Sequence, residues 1–217
     1  MSKASARYWR RRLVLHALLA ATAVATGACV YALTPPPDVR HRLSMASAYA
    51  GLFFLGASLW IGPWNVLRRK PNPVSSDLRR DVGIWAGLLA VFHTAVGLTV
   101  HLRGRMWMYF FKGLHPLRLQ DTNFGFANYT GLFAALVFVM LVAISNDLSL
   151  RGLGVPRWKS LQRWAYVAFA LTVAHGILYQ VIEKRRLPWV LISGAAVLAA
   201  CAIQGMGVLR HWRSGRP

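Results

Sequence analysis

The chain has 217 residues, 56% of them hydrophobic and only 15% charged. A soluble domain carries about a quarter charged residues, so an ordinary soluble enzyme is excluded. The formal charge of +20 does not indicate nucleic-acid binding either, because the cations flank long apolar blocks instead of forming one basic face.

In chain order, the apolar blocks fall near residues 13–33, 44–62, 82–101, 126–145, 164–182 and 188–208. Each approaches or reaches the roughly 20 residues that cross a bilayer as a helix. The expected fold is therefore all-α: a polytopic six-helix membrane bundle. Residues 1–12 form a basic cytoplasmic N-terminus, 13–208 a single transmembrane domain and 209–217 a basic tail. The first block follows a basic start like that of a signal peptide, but its apolar run is too long for a signal core and it reads as a retained helix. Ser76 or Asp77 is placed to cap the third block. The stretch "LRGRMWMYFFKGLHPLRLQDTNFG" reads as a surface loop with aromatic anchors or as an amphipathic, re-entrant segment. "VPRWKSLQRW" leads into the fifth block and reads as a basic interfacial helix start. Cys29 and Cys201 lie in different blocks and form no disulfide or metal pattern.

Of the 26 Lys and Arg residues, 17 lie on the side of the N-terminus and nine on the other. By the positive-inside rule both termini face inward, in a multi-pass protein of the cell inner (plasma) membrane whose cations also meet anionic lipid. No glycine-rich phosphate loop or nucleotide-binding domain is present in the sequence, so any flavin or nicotinamide electron source is a partner, or the donor is a membrane quinol.

Two blocks contain a central histidine. The third begins near Val82 and holds His93; the fifth begins near Trp164 and holds His175. The two spacings are equal, about three helical turns, and at 1.5 Å per residue both rings stand about 16 Å from the inner start of their helix. They are thus expected at equal depth. An unpaired polar ring costs several kcal/mol in hydrocarbon. Ligation of one haem iron by the pair satisfies one nitrogen on each ring, and the other nitrogen can donate to a neighbouring carbonyl. Small residues at Ala86, Ala90 and Gly97 leave room for a macrocycle. The alternative is a haem-free structural or assembly membrane protein in which the two histidines bond across helices. His101 is a secondary candidate, as ligand of a second haem or as partner of a propionate. Haem propionates need cations, and Arg79, Arg80 and Arg163 lie nearest the inner starts, with Arg103 and Arg105 on the outer side. Zinc is disfavoured because no carboxylate or cysteine accompanies the two histidines.

"DLRRDVGIWAGLLAVFHTAVGL" at 77–98 and "LSLRGLGVPRWKSLQRWAYVAFALTVAHGILYQ" at 148–180 resemble the ferric reductase-like transmembrane domain family. The likeness is closest to its small bacterial haem b membrane subunits, such as that of the periplasmic methionine sulfoxide reductase system. It covers about residues 60–210, including "FANYTGLFAALVFVMLVAISND" between the two stretches. The resemblance implies a b-type haem held by histidines of two nonadjacent helices, which by position are His93 and His175. Some relatives carry a further histidine where this chain has Gln162, so one haem is expected here. It further implies an electron-transfer component of an oxidoreductase. The donor would be the quinol pool or a flavin reductase. The acceptor would lie on the outer side, as a reductase partner or ferric iron.

Overall fold

A computed structural model describes residues 3–35, 38–69 and 77–213. Seven helices follow in chain order: α1 (Lys3–Leu33), α2 (Val39–Leu67), α3 (Asp77–Gly97), α4 (Asn123–Ala143), α5 (Asp147–Gln162), α6 (Trp164–Ile182) and α7 (Leu187–Arg213). Between α3 and α4 lie two 3-10 turns, Leu102–Gly104 and Met106–Tyr109, and an antiparallel hairpin of β1 (Phe111–Leu114) and β2 (Leu117–Leu119). The segment is thus a structured cap rather than a re-entrant helix. Tyr109 anchors it by donating to the Gly97 carbonyl (3.0 Å) and accepting from the His101 amide (2.8 Å).

Five stretches of helix are long and apolar enough to cross a bilayer: Arg7–Leu33, Val39–Leu67, Asn123–Ala143, Asp147–Ile182 and Leu187–Arg210. The chain is by this measure a mostly helical, multi-pass membrane protein. Helix α3, which holds the third apolar block, is not among these stretches; four of its first five residues, Asp77, Arg79, Arg80 and Asp81, are charged. Apolar residues such as Leu18, Phe133 and Leu198 face outward, as lipid-facing positions of a membrane helix do.

Helix boundaries depart from the apolar blocks in an instructive way. Helix α1 starts at Lys3, inside the basic N-terminus, and α7 runs to Arg213. Lys and Arg are good helix formers, so the helix continues where the hydrocarbon would stop. Asp77 lies inside the first turn of α3, and Ser76 is outside the described residues. The basic lead into α6 is itself a helix, α5, capped by Asn146, which accepts from the Ser149 amide (2.8 Å). Gly154, at φ 71°, breaks α5 in the middle.

Helix α2 packs on α1, α3 and α7; α3 also packs on α4, and α4 on α6. Helices α6 and α7 are joined by a short turn, yet their backbones scarcely touch. Two side-chain bonds link them: Gln180 Nε2 to Ser193 Oγ (2.6 Å) and Tyr166 to Gln204 (3.4 Å). The buried core holds Phe54, Leu55 and Leu59 of α2, Val82 and Ala86 of α3, Phe138 and Leu141 of α4, and Ala168 of α6. Gly87 permits the α3–α4 approach, since a Cβ there would collide with the Val142 side chain. The result is an arc of helices, α7–α2–α3–α4–α6, around a cavity.

Candidate functional site

His93 projects from α3 and His175 from α6 into this cavity. Each ring is tied to a different neighbour. His93 Nδ1 lies 3.0 Å from the Ser44 carbonyl of α2, with the hydroxyls of Ser44 and Ser47 each 3.5 Å away. His175 Nδ1 lies 2.7 Å from the Ala127 carbonyl of α4. A carbonyl only accepts, so Nδ1 carries the proton in both rings and Nε2 keeps its lone pair. That arrangement, with the outer nitrogen bonded to main chain, is how metal-ligating histidines are usually oriented.

The two ring centroids are 6.1 Å apart and the planes are inclined by 78°. With metal–imidazole bonds of about 2.0–2.1 Å, two rings on opposite sides of one ion have centroids about 6 Å apart. Glycine makes the close seating possible. A Cβ on Gly131 of α4 would fall 2.6 Å from His175 Nδ1, so any larger residue displaces the ring. Gly97 carries no such requirement, since a Cβ there would meet His93 Cε1 at an ordinary contact distance of 3.9 Å. Tyr179 lies against His175, centroids 4.8 Å apart, and donates to Asn128 Oδ1 at 2.8 Å. Asn128 in turn donates to the carbonyls of Phe124 (2.8 Å) and Tyr109 (3.3 Å).

The cavity has a volume of about 380 Å³, within the range of small-molecule and cofactor sites. Its floor is apolar: Leu55, Ala86, Ala90, Ala134 and Phe138. Its other end, under the hairpin, is charged. There His101 Nε2 lies 3.2 Å from Glu183 Oε1, Arg185 pairs with Glu183 Oε2 at 2.6 Å, and Arg185 meets His41 Nε2 at 3.4 Å. The chain His101–Glu183–Arg185–His41 thus roofs the cavity. Burial acts to raise the Glu183 pKa, but the His101 hydrogen bond and the Arg185 charge outweigh it and hold the carboxyl below its usual range.

The two histidines do not occupy matching positions along their helices. Because α3 runs from Asp77 to Gly97, His93 lies only one turn from its end. In α6, which runs from Trp164 to Ile182, His175 is about two turns from the end. The helices are staggered, and the rings meet nearer the hairpin end than the opposite end. This alters the expected roles of the other candidates. His101 lines the cavity, but in the turn after α3, with Nε2 engaged by Glu183. Arg79, Arg80 and Arg163 do not line it. Arg80 bonds Asp147 (2.7 Å) and Asp77 (3.5 Å), Arg79 lies by Gly62, and Arg163 is exposed at the α5–α6 junction.

Sequence reasoning missed Glu183 and Arg185. The available signal was that Glu183, the only glutamate in the chain, immediately follows a histidine-bearing helix and precedes three cations. Among the described residues no three His, Cys, Asp or Glu side chains converge to hold a metal ion. Comparison with family models, curated proteins and solved structures returns no match.

Proposed function

We propose that the chain is a membrane-spanning b-type cytochrome of the ferric reductase-like kind, with one haem b held by His93 and His175. In this reading α3 is a sixth span, its charged first turn lying at the inner surface, and both termini face inward. The observation that carries the proposal is the close pair, 6.1 Å between centroids, with both Nδ1 atoms spent on main-chain carbonyls and both Nε2 lone pairs left for a metal. The protein groups fit a haem: an apolar floor for the macrocycle, and at the other end Arg185 as a cation for its carboxylates. Arg185 thereby replaces Arg79, Arg80 and Arg163 as the favoured propionate partner.

Haem held by two imidazoles supplies one-electron ferric/ferrous chemistry, without an open site for substrate. The protein's part is to orient. Ser44 and Ala127 fix the ring planes through their carbonyls, and Gly131 keeps α4 close behind His175. Tyr179 and Asn128 pack the wall between His175 and the hairpin. Electrons would come from the quinol pool or a flavin reductase and leave to an outer-side reductase partner or ferric iron.

A second reading rests on the same bonds. His93 joins α3 to α2 and His175 joins α6 to α4 with no cofactor at all, as in a structural or assembly protein. Oxidised and dithionite-reduced spectra of the purified protein separate the two. The cytochrome reading expects a low-spin b-type spectrum lost in both His93→Ala and His175→Ala. Absence of haem absorbance in wild-type protein made with ample haem would leave the structural reading.

A further inference from the structure

We infer that the hairpin end of the bundle is a docking surface for the acidic face of a soluble protein. The inference concerns the surface above the cavity and stands whether or not haem is bound. Nine Lys and Arg residues lie at this end. Four are engaged: Arg40 donates to the Thr99 carbonyl, Arg42 to that of Tyr31, and Lys112 and Arg185 pair with Asp121 and Glu183. The other five, Arg103, Arg105, Arg118, Lys184 and Arg186, are exposed and make no side-chain hydrogen bond or ion pair among the described residues. In the N-in orientation these cations are on the outer side, where each works against the positive-inside rule. Topology therefore does not explain them.

Their placement is specific. Arg103 (φ 51°) and Lys184 (φ 45°) occupy left-handed turns, a conformation costly for non-glycine residues that persists where the surroundings enforce it. The His101–Glu183 bond ties those two turns together across the cavity roof. Beside them the cap presents Met106, Trp107, Leu114, Leu117 and Leu119 outward. An apolar patch with a basic rim is the anatomy of a protein interface, and the basic rim selects an acidic partner and steers its approach. The surface also lies over the short side of the bundle: one turn of α3, about 6 Å of rise, separates His93 from the helix end.

The test uses the full chain in phosphatidylcholine nanodiscs, with a fluorescent oligoglutamate peptide as probe. One variant combines Arg103→Ser, Arg105→Ser, Arg118→Ser, Lys184→Ser and Arg186→Ser. A charge-matched control combines Arg10→Ser, Arg11→Ser, Arg69→Ser, Arg157→Ser and Lys159→Ser at the opposite end. The expected result at low salt is about tenfold weaker binding in the first and less than about twofold in the control, with the difference closing as salt rises. Equal loss in both variants overturns the proposal, since bulk charge alone then explains binding. Nanodiscs containing phosphatidylglycerol supply the second arm. If anionic lipid protects Lys184 from a water-soluble acylating reagent and abolishes peptide binding, lipid is the occupant and the proposal fails. Should the five-fold variant not fold, Lys184→Ser with Arg186→Ser is expected to weaken binding about threefold, and no change would count against the surface.

Discussion

The two ends of the bundle carry charged networks that do different work. At the far end Arg12 of α1 reaches the fully buried Asp81 of α3, with His16 at 3.7 Å from the same oxygen and Trp85 Nε1 donating to His16 Nδ1 at 3.2 Å. These groups join α1 to α3 and do not line the cavity. At the hairpin end every member of the His101–Glu183–Arg185–His41 chain lines the cavity. One network is a staple between helices and the other is the roof of a site. The difference shows that burial of charge alone does not mark a functional position; what the charge faces does.

Breaking the staple should give the largest effect. Arg12→Ala leaves the Asp81 carboxylate buried without its main cation, and removing one partner of a buried pair costs about 3–5 kcal/mol. Denaturant or thermal unfolding in detergent should show that loss. An unchanged midpoint would mean that the far network is not a staple. Gly131→Ala touches neither network. Its new Cβ collides with His175, so a loss of about 1–3 kcal/mol is expected from overpacking; under the proposed function a changed haem spectrum, which Arg12→Ala does not produce, is expected with it. Glu183→Gln should have the smallest effect on the fold at neutral pH. The folded-state pKa of Glu183 is depressed, so its ionised form stabilises the protein above the ordinary carboxylate value of about 4.3. That contribution is lost as pH falls through the lower, folded-state value. The wild-type midpoint should therefore drop in acid more steeply than that of Glu183→Gln; parallel curves would assign Glu183 no such role.

The membrane class and the histidine pair were legible because both are hydropathy signals: long apolar blocks, and two polar rings inside them. Hydropathy marks where lipid would be rather than where a helix starts, which is why measuring α3 from Val82, and not from the cap candidates Ser76 and Asp77, misplaced His93 along its helix. Helix α5 was legible only in its second half, the basic helix start at 155–164; its first half, from Asp147, is too polar for a hydropathy signal although Asn146 supplies a cap. The groups that orient the histidines, the carbonyls of Ser44 and Ala127, are main chain and leave no trace in residue identity. Arg79 and Arg80 looked well placed because they share α3 with His93, yet they lie at the other end of it.

The off-centre seat of the histidines has an electrical consequence. His175 lies past the midpoint of α6, between Trp164 and Ile182, so about three-fifths of that helix lies on the far side. A full crossing of the membrane by one charge is worth about 2.3 kcal/mol per 100 mV. In the proposed function, an electron arriving at the histidines from the far side would traverse most of the field, about 1.4 kcal/mol per 100 mV. Delivery from a negative interior is then assisted by voltage, and the shorter final step to the hairpin end feels the smaller share of it.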